Sequence, residues 1–131
     1  MRTVVLLLLL ALSLMAQDAA EATLTGKLLA RADKSLVLKT KDKEVRLVSK
    51  DEYIEAILAD ERLLDKELQA AGKWEVKDRR LDLSELYTLH DGRRHRIAYY
   101  CETCSIWASK PGLCVCCQQP VELREVPLED P

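Results

Sequence analysis

Apolar and polar residues alternate along TLTGKLLA, residues 23–30: Leu24, Gly26, Leu28 and Ala30 fall on one side, Thr23, Thr25, Lys27 and Leu29 on the other. Period two is the signature of a strand with one buried face, and the glycine offers a place for a bulge or sharp bend. The alternation returns in SLVLKT (35–40) and EVRLVS (44–49), separated only by Lys41, Asp42 and Lys43. A three-residue connection of this kind predicts a hairpin.

The period then changes. In SKDEYIEAILADERLLD (49–65), Ile54, Ile57, Leu58 and Leu64 recur at helical spacing, and Ser49 stands three residues before Glu52 as a capping box. One amphipathic helix is expected over 49–65. KELQAAGKWEV (66–76) returns to period two, with Leu68, Ala70, Gly72, Trp74 and Val76 on a shared face, and RLDL (80–83) opens another strand. The stretch ELYTLHDGRRHRIAYY (85–100) predicts a further hairpin turning at Asp91-Gly92, a pair that tolerates positive φ in a tight turn.

Three strands, one helix and then two strands, with the helix between strands three and four, is an order resembling that of an OB-fold, a small antiparallel barrel. The expected fold class is therefore mainly β with one helix: an OB-like barrel over 21–98, followed by a zinc-ribbon-like cysteine knuckle over 99–124. EVPLEDP, residues 125–131, reads as an acidic, proline-bounded tail.

Composition adds compartment rather than fold. The 131 residues are 32% charged and 48% hydrophobic, with no phenylalanine, as in a folded soluble domain. A net charge of −2 from interspersed acids and bases implies no nucleic-acid partner. Before the first strand, Arg2 precedes an uncharged apolar run from Val4 to Ala16, which reads as a secretory signal peptide over residues 1–16. Leu14 departs from the small-residue cleavage pattern, so an uncleaved anchor is the alternative, although the run is shorter than the roughly 20 residues that cross a bilayer. The expectation is a periplasmic or secreted protein with no membrane segment after signal removal. An oxidising compartment favours disulfides over free thiols.

All five cysteines lie in YYCETCSIWASKPGLCVCC, residues 99–117. Cys101-x-x-Cys104 and Cys114-x-x-Cys117 make a four-sulfur metal site possible, each pair wrapping one edge of an ion, and Lys110-Pro111-Gly112 supplies a turn into the second pair. The alternatives are a disulfide-stapled loop, in which five thiols cannot all pair within one chain, and redox or metal-transfer chemistry through a labile thiol. Cys116 is extra to the two pairs. It reads either as a small buried hydrophobe or as a spare thiol.

Residues 99–123 resemble the short heavy-metal-binding domain attached to copper and silver efflux ATPases and to the adaptors of efflux pumps. Tyr99, Cys101, Ser109, Lys110, Pro111, Gly112, Cys114 and Cys117 match that family's pattern in register, over about a fifth of the chain. Thr103 replaces its methionine, Cys104 its histidine, Gln118 its glycine and Gln119 its final methionine. The resemblance implies metal binding, and the loss of thioether ligands together with a fourth thiolate shifts the expected ion from cuprous copper to zinc, with another soft metal as the alternative.

The remaining constellations are weaker. A two-residue turn at Asp91-Gly92 places Thr88 opposite His95 and His90 opposite Arg93, so both histidines share a face where a second metal site is conceivable. KDRR (77–80) and RRHR (93–96), among Trp74, Tyr87, Tyr99 and Tyr100, read as charged strand edges, and Trp107 is expected to pack the knuckle against the barrel. Glu52, Glu55, Asp60 and Glu61 read as solvated helix-surface carboxylates. No catalytic motif is present, so the function expected is metal holding or sensing rather than catalysis, with an envelope protein as a possible partner. The rival is an envelope interaction module whose knuckle is only structural.

Overall fold

A computed structural model describes residues 20–128. The expected signal peptide and the last three residues of the expected tail lie outside them. The chain folds into a mostly antiparallel sheet, with strands β1 Ala20–Ala30, β2 Leu36–Lys39, β3 Glu44–Val48, β4 Glu67–Glu75, β5 Arg80–His90, β6 Arg93–Cys101, β7 Ile106–Ala108 and β8 Glu122–Pro127. One α-helix, α1 Glu52–Leu58, and a 3-10 turn, Glu61–Leu63, join β3 to β4.

β1 pairs with β2 and β4, β2 with β3, and β4 with β5, all antiparallel. A parallel pairing of β3 with β5, through Arg46↔Arg80, Leu47↔Leu81 and Val48↔Asp82, closes these five strands into a ring. The order around the ring is the OB-like one expected from the order along the chain. Inward alternation fills its interior: Leu28, Leu38, Val45, Leu68 and Leu81 are fully buried, and Ile54, Ile57 and Leu58 of α1 join them. At about 25 cal/mol per Å2 of apolar surface removed from water, this aliphatic interior is the main source of stability.

Several local expectations change for identifiable reasons. The predicted RLDL and ELYTLH segments are one strand, β5, bent by a bulge: Ala71 pairs with Glu85 and Gly72 with Leu83, leaving Ser84 as the extra residue. Gly26, read as a place for a bulge or sharp bend, sits in unbroken register with Leu68, so no bulge forms there. Both glycines serve close approach instead, because a Cβ would lie 2.3 Å from the Lys39 carbonyl oxygen at Gly26 and 2.0 Å from that of Asp82 at Gly72.

The capping box does not form. Asp51 caps α1, its Oδ1 accepting from the amides of Tyr53 and Ile54 at 2.8 and 3.4 Å. The Ser49 hydroxyl instead donates to the Leu83 carbonyl at 2.8 Å, tying the helix entrance to β5. The helix stops at Leu58 rather than Asp65. Asp60 caps the 3-10 turn by accepting from the Arg62 amide at 3.0 Å, a side-chain bond that competes with helix continuation.

Beyond the ring, β5 turns into β6 at Asp91 and Gly92, both at positive φ (52° and 76°), as the sequence predicts. β6 carries β5 along residues 93–96 and β7 along 99–101, while β8 pairs with 95–100. Because β8 overlaps both neighbours, it occupies the opposite edge of β6. Glu125, Val126 and Pro127, expected in an acidic tail, are thus the end of a strand, and the Leu128 amide donates to the Arg94 carbonyl at 3.1 Å.

Candidate metal centre

Two similar turns build the site. Cys101 closes β6 and pairs with Ile106, so Cys104 lies in the four-residue connection to β7, and the residue after it, Ser105, has φ 55°. In the second turn Leu113 bridges Pro120, the Cys114 amide donates to the Gln119 carbonyl at 2.7 Å, and the Gln118 amide donates to the Cys114 carbonyl at 2.9 Å. The residue after Cys117, Gln118, has φ 60°. Each Cys-x-x-Cys therefore runs into a left-handed residue that turns the chain back. Gly112, at φ 128°, leads into the second turn and its carbonyl accepts from the Val121 amide at 2.9 Å, so the lysine-proline-glycine signal does redirect the chain.

The folded turns bring the Sγ atoms of Cys101, Cys104, Cys114 and Cys117 within 4.8 Å of one another. Four thiolates bound tetrahedrally at about 2.3 Å from one ion stand about 3.8 Å apart. The sulfurs are thus close enough to hold a metal. Cys101 and Cys114 are buried and Cys104 and Cys117 half-buried, with Cys101 and Cys117 sulfurs 3.5 Å apart.

Their acidities diverge. The amides of Cys117 and Cys116 hydrogen-bond the Cys114 sulfur and lower its pKa to about 7. Contact with the Cys116 thiol, then burial and the Cys117 and Cys114 thiols, raise that of Cys104. At Cys101 the Cys104 amide lowers the pKa, but burial and the neighbouring Cys117 and Cys114 thiols outweigh it, and the net shift is upward. Gathering four thiolates without a cation is unfavourable, and a divalent ion reverses that penalty.

The knuckle is fastened to the ring by residues whose role the sequence concealed. Asp60, expected on a solvated surface, is only 9% exposed. Arg62 grips its carboxylate through Nε and Nη2, both at 2.9 Å, and Nη1 donates to the Val121 carbonyl at 3.1 Å. The Tyr99 hydroxyl donates to Asp60 Oδ2 at 2.9 Å, and Arg62 lies over the Tyr99 ring. The one sequence sign of this burial is that Asp60 follows Ile57 by three, on the apolar stripe of the helix pattern.

Trp107 does not pack the knuckle against the ring. It is 55% exposed and lies against Tyr100 on the outer face of the sheet, with ring centroids 4.7 Å apart. Tyr99 faces the other way and does the anchoring, and Lys110 reaches the Tyr53 ring of α1.

His90 and His95 do share a face, their rings edge to face at 4.7 Å. Yet His90 Nε2 meets Glu125 at 2.9 Å and Lys66 reaches the same carboxylate at 3.3 Å, so β8 supplies a carboxylate partner hidden at the sequence level. Among the described residues, only the four cysteines group closely enough for a metal. Of the basic segments, Arg80 is paired with Glu75 at 2.6 Å, while Arg94 lies over Tyr87. Among the described residues no helix is long and apolar enough to cross a membrane. No family model, curated protein or solved structure matches the chain.

Proposed function

We propose that this chain is an exported metal-binding protein whose Cys101, Cys104, Cys114 and Cys117 hold one zinc ion, in the holding or sensing of metal outside the cytoplasm. The observation that carries the reading is the gathering of four sulfurs within 4.8 Å by two similar turns. A closed four-thiolate shell suits structural zinc, and softer ions are its natural competitors. The apolar N-terminal run supports export to the periplasm or medium. Catalysis forms no part of this reading, and the partner is the ion itself, with an envelope protein as a further partner.

The test is elemental analysis with a free-thiol count on untagged protein taken from its native compartment. About one zinc per chain, with the ligand thiols reactive only after chelation and denaturation, supports the proposal. No metal and about one free thiol would mean two disulfides in the same place.

A groove of about 980 Å3 favours the rival reading, an interaction module with a structural knuckle. Lys27, Lys39, Lys41 and Lys43 line it beside Asp42 and Glu67, on the ring and far along the chain from the cysteines. Such a surface suits an acidic envelope protein. Zinc that resists displacement by copper or silver, together with loss of partner capture on lysine-to-glutamate exchange in the groove, would favour this module.

A further inference from the structure

We infer that the open edge of β1 takes an added strand, an extended protein segment that alternates acidic and apolar residues; this rests on the reading of the lysine-lined groove as an interaction surface and stands apart from the metal. β4 runs along residues 20–27 of β1, whereas β2 covers only residues 27–30. The direction of the uncovered backbone groups follows from the bonds at the far end of β1. There the Arg31 amide donates to the Ser35 carbonyl, on the β2 side, at 2.9 Å, and the Leu28 amide donates to the Lys66 carbonyl, on the β4 side, at 3.2 Å. Amides alternate in direction along a strand, and β1 keeps unbroken register with β4 from Ala20 to Lys27. Odd-numbered residues of β1 therefore present N–H and C=O to the β2 side. Glu21, Thr23 and Thr25 lie beyond the end of β2, and among the described residues no strand or turn bonds to these groups.

The turn after β2 opens the groove. The Thr40 amide donates to the Lys43 carbonyl at 2.9 Å, and the Thr40 hydroxyl oxygen accepts from the Lys43 amide at 3.2 Å, so the chain is carried away from β1. Lys43 lies over the Trp74 ring, 4.7 Å from its centroid, which steadies the turn. The space left, about 980 Å3, is the track that β2 would have followed had it continued: Thr23, Leu24 and Thr25 form one wall and Thr40 to Lys43 the other.

Charge selects the occupant. Lys27, Lys39, Lys41 and Lys43 face only two carboxylates in the groove, Asp42 and Glu67, and among the described residues none of the four lysines is in a salt bridge. Lysines at an open edge repel a second copy of the same edge, so self-pairing is disfavoured. An incoming strand with acids on one face meets these lysines and bonds to the β1 backbone, while its alternate apolar side chains meet the half-buried Leu24. Nucleic acid is the poorer fit, because the lining carries no aromatic ring on which a base could stack.

The full chain is titrated with a fluorescent peptide of about eight residues alternating glutamate and valine, and with two forms of it N-methylated at the glutamates or at the valines. Only alternate amides of an added strand face β1, so one methylated form should bind about tenfold more weakly and the other as well as the parent. Thr23→Pro removes an N–H from the open edge, where proline is tolerated, and should cause a similar loss with unchanged thermal unfolding. Lys41→Glu should weaken the parent peptide several-fold. If Thr23→Pro does not fold, the two methylated peptides carry the test by themselves. Equal affinity of both methylated forms, with Lys41→Glu still weakening the parent, means that the groove reads charge alone; strand addition is then overturned and the interaction reading survives. No binding of the parent at millimolar concentration overturns both. Single strands of thymidylate that bind more tightly than the peptide and ignore Thr23→Pro assign the groove to nucleic acid and overturn the inference.

Discussion

The Tyr99 hydroxyl donates a 2.9 Å hydrogen bond to Oδ2 of Asp60, 39 positions earlier in the chain. Tyr99 lies two residues before the first cysteine of the candidate centre, and Asp60 caps the turn that follows α1. One buried bond therefore couples the knuckle to the ring. Tyr99→Phe removes the donor without changing ring volume, and a bond to a charged acceptor is worth about 1.5 kcal/mol. Urea unfolding should show a loss of that size with an unchanged m-value, and an unchanged midpoint would mean the bond contributes nothing.

Acid should weaken the same contact. Burial by itself raises the Asp60 pKa, but the Arg62 side-chain and backbone bonds and the Tyr99 hydroxyl outweigh it and hold the carboxyl below its usual value. Glu125 behaves alike: burial raises it, and His90, the nearby Thr88 hydroxyl and Lys66 bring it down on balance. A carboxylate whose folded pKa is depressed stabilises fully above its unfolded value and loses that contribution as pH falls through the folded one. Stability from these two groups should hold from pH 7 to about pH 5 and fall below about pH 4. Asp60→Asn should flatten the acid limb of a pH–stability curve, and an acid limb of unchanged steepness would rule the carboxylate out.

Zinc binding should release protons. Cys101 and Cys104 are held above the ordinary thiol pKa, so on binding the ion both lose a proton to the buffer at neutral pH. At least two protons per ion should appear at pH 7, and the apparent affinity should climb at least a hundredfold per pH unit around that pH. Calorimetry in buffers of different ionisation enthalpy counts them. Release of less than one proton would show that these thiols are not ligands.

Chelation should act locally. The ring closes through β3–β5 and draws most of its apolar interior from β1 to β5 and α1, although Cys101, Cys114 and Val121 join the same buried cluster, whereas the two cysteine turns rest on a few hydrogen bonds. After metal removal, amide exchange should rise by a factor of ten or more across residues 101–121 while β1 to β5 stay protected. Uniform loss of protection along the chain would show one cooperative unit instead.

Gly72→Ala and Gly92→Ala should separate two uses of glycine. A Cβ at Gly72 meets the Asp82 carbonyl oxygen at 2.0 Å, so the β4–β5 pair must shift, at about 3 kcal/mol. Gly92 has open space around it and only a φ of 76° to satisfy, which costs an alanine about 1 kcal/mol. Thermal unfolding of the two variants should differ accordingly, and equal losses would contradict the close approach at Gly72.

Much of this architecture is written locally. Period-two runs locate every ring strand, Asp91-Gly92 sets the β5–β6 turn, and the spacing of Cys101, Cys104, Cys114 and Cys117 singles out the four residues whose sulfurs converge. These features repeat within a few residues, where backbone sterics and alternation of burial act directly. Long-range pairing decided the rest. The first three residues of β1 lack a strong apolar alternation and extend because β4 is there to pair with them, Ala20 opposite Trp74. Asp51 displaced Ser49 as the helix cap because Ser49 found a carbonyl on β5. Glu125 became a strand residue and the partner of His90 because β6 had a free edge. The sequence by itself determined which segments are the ring strands and which cysteines could meet; only the tertiary structure decided that Glu122–Pro127 would pair as a strand and that Asp60 would be buried under Tyr99, because edge pairing and a carboxylate's burial both depend on groups that approach from elsewhere in the chain.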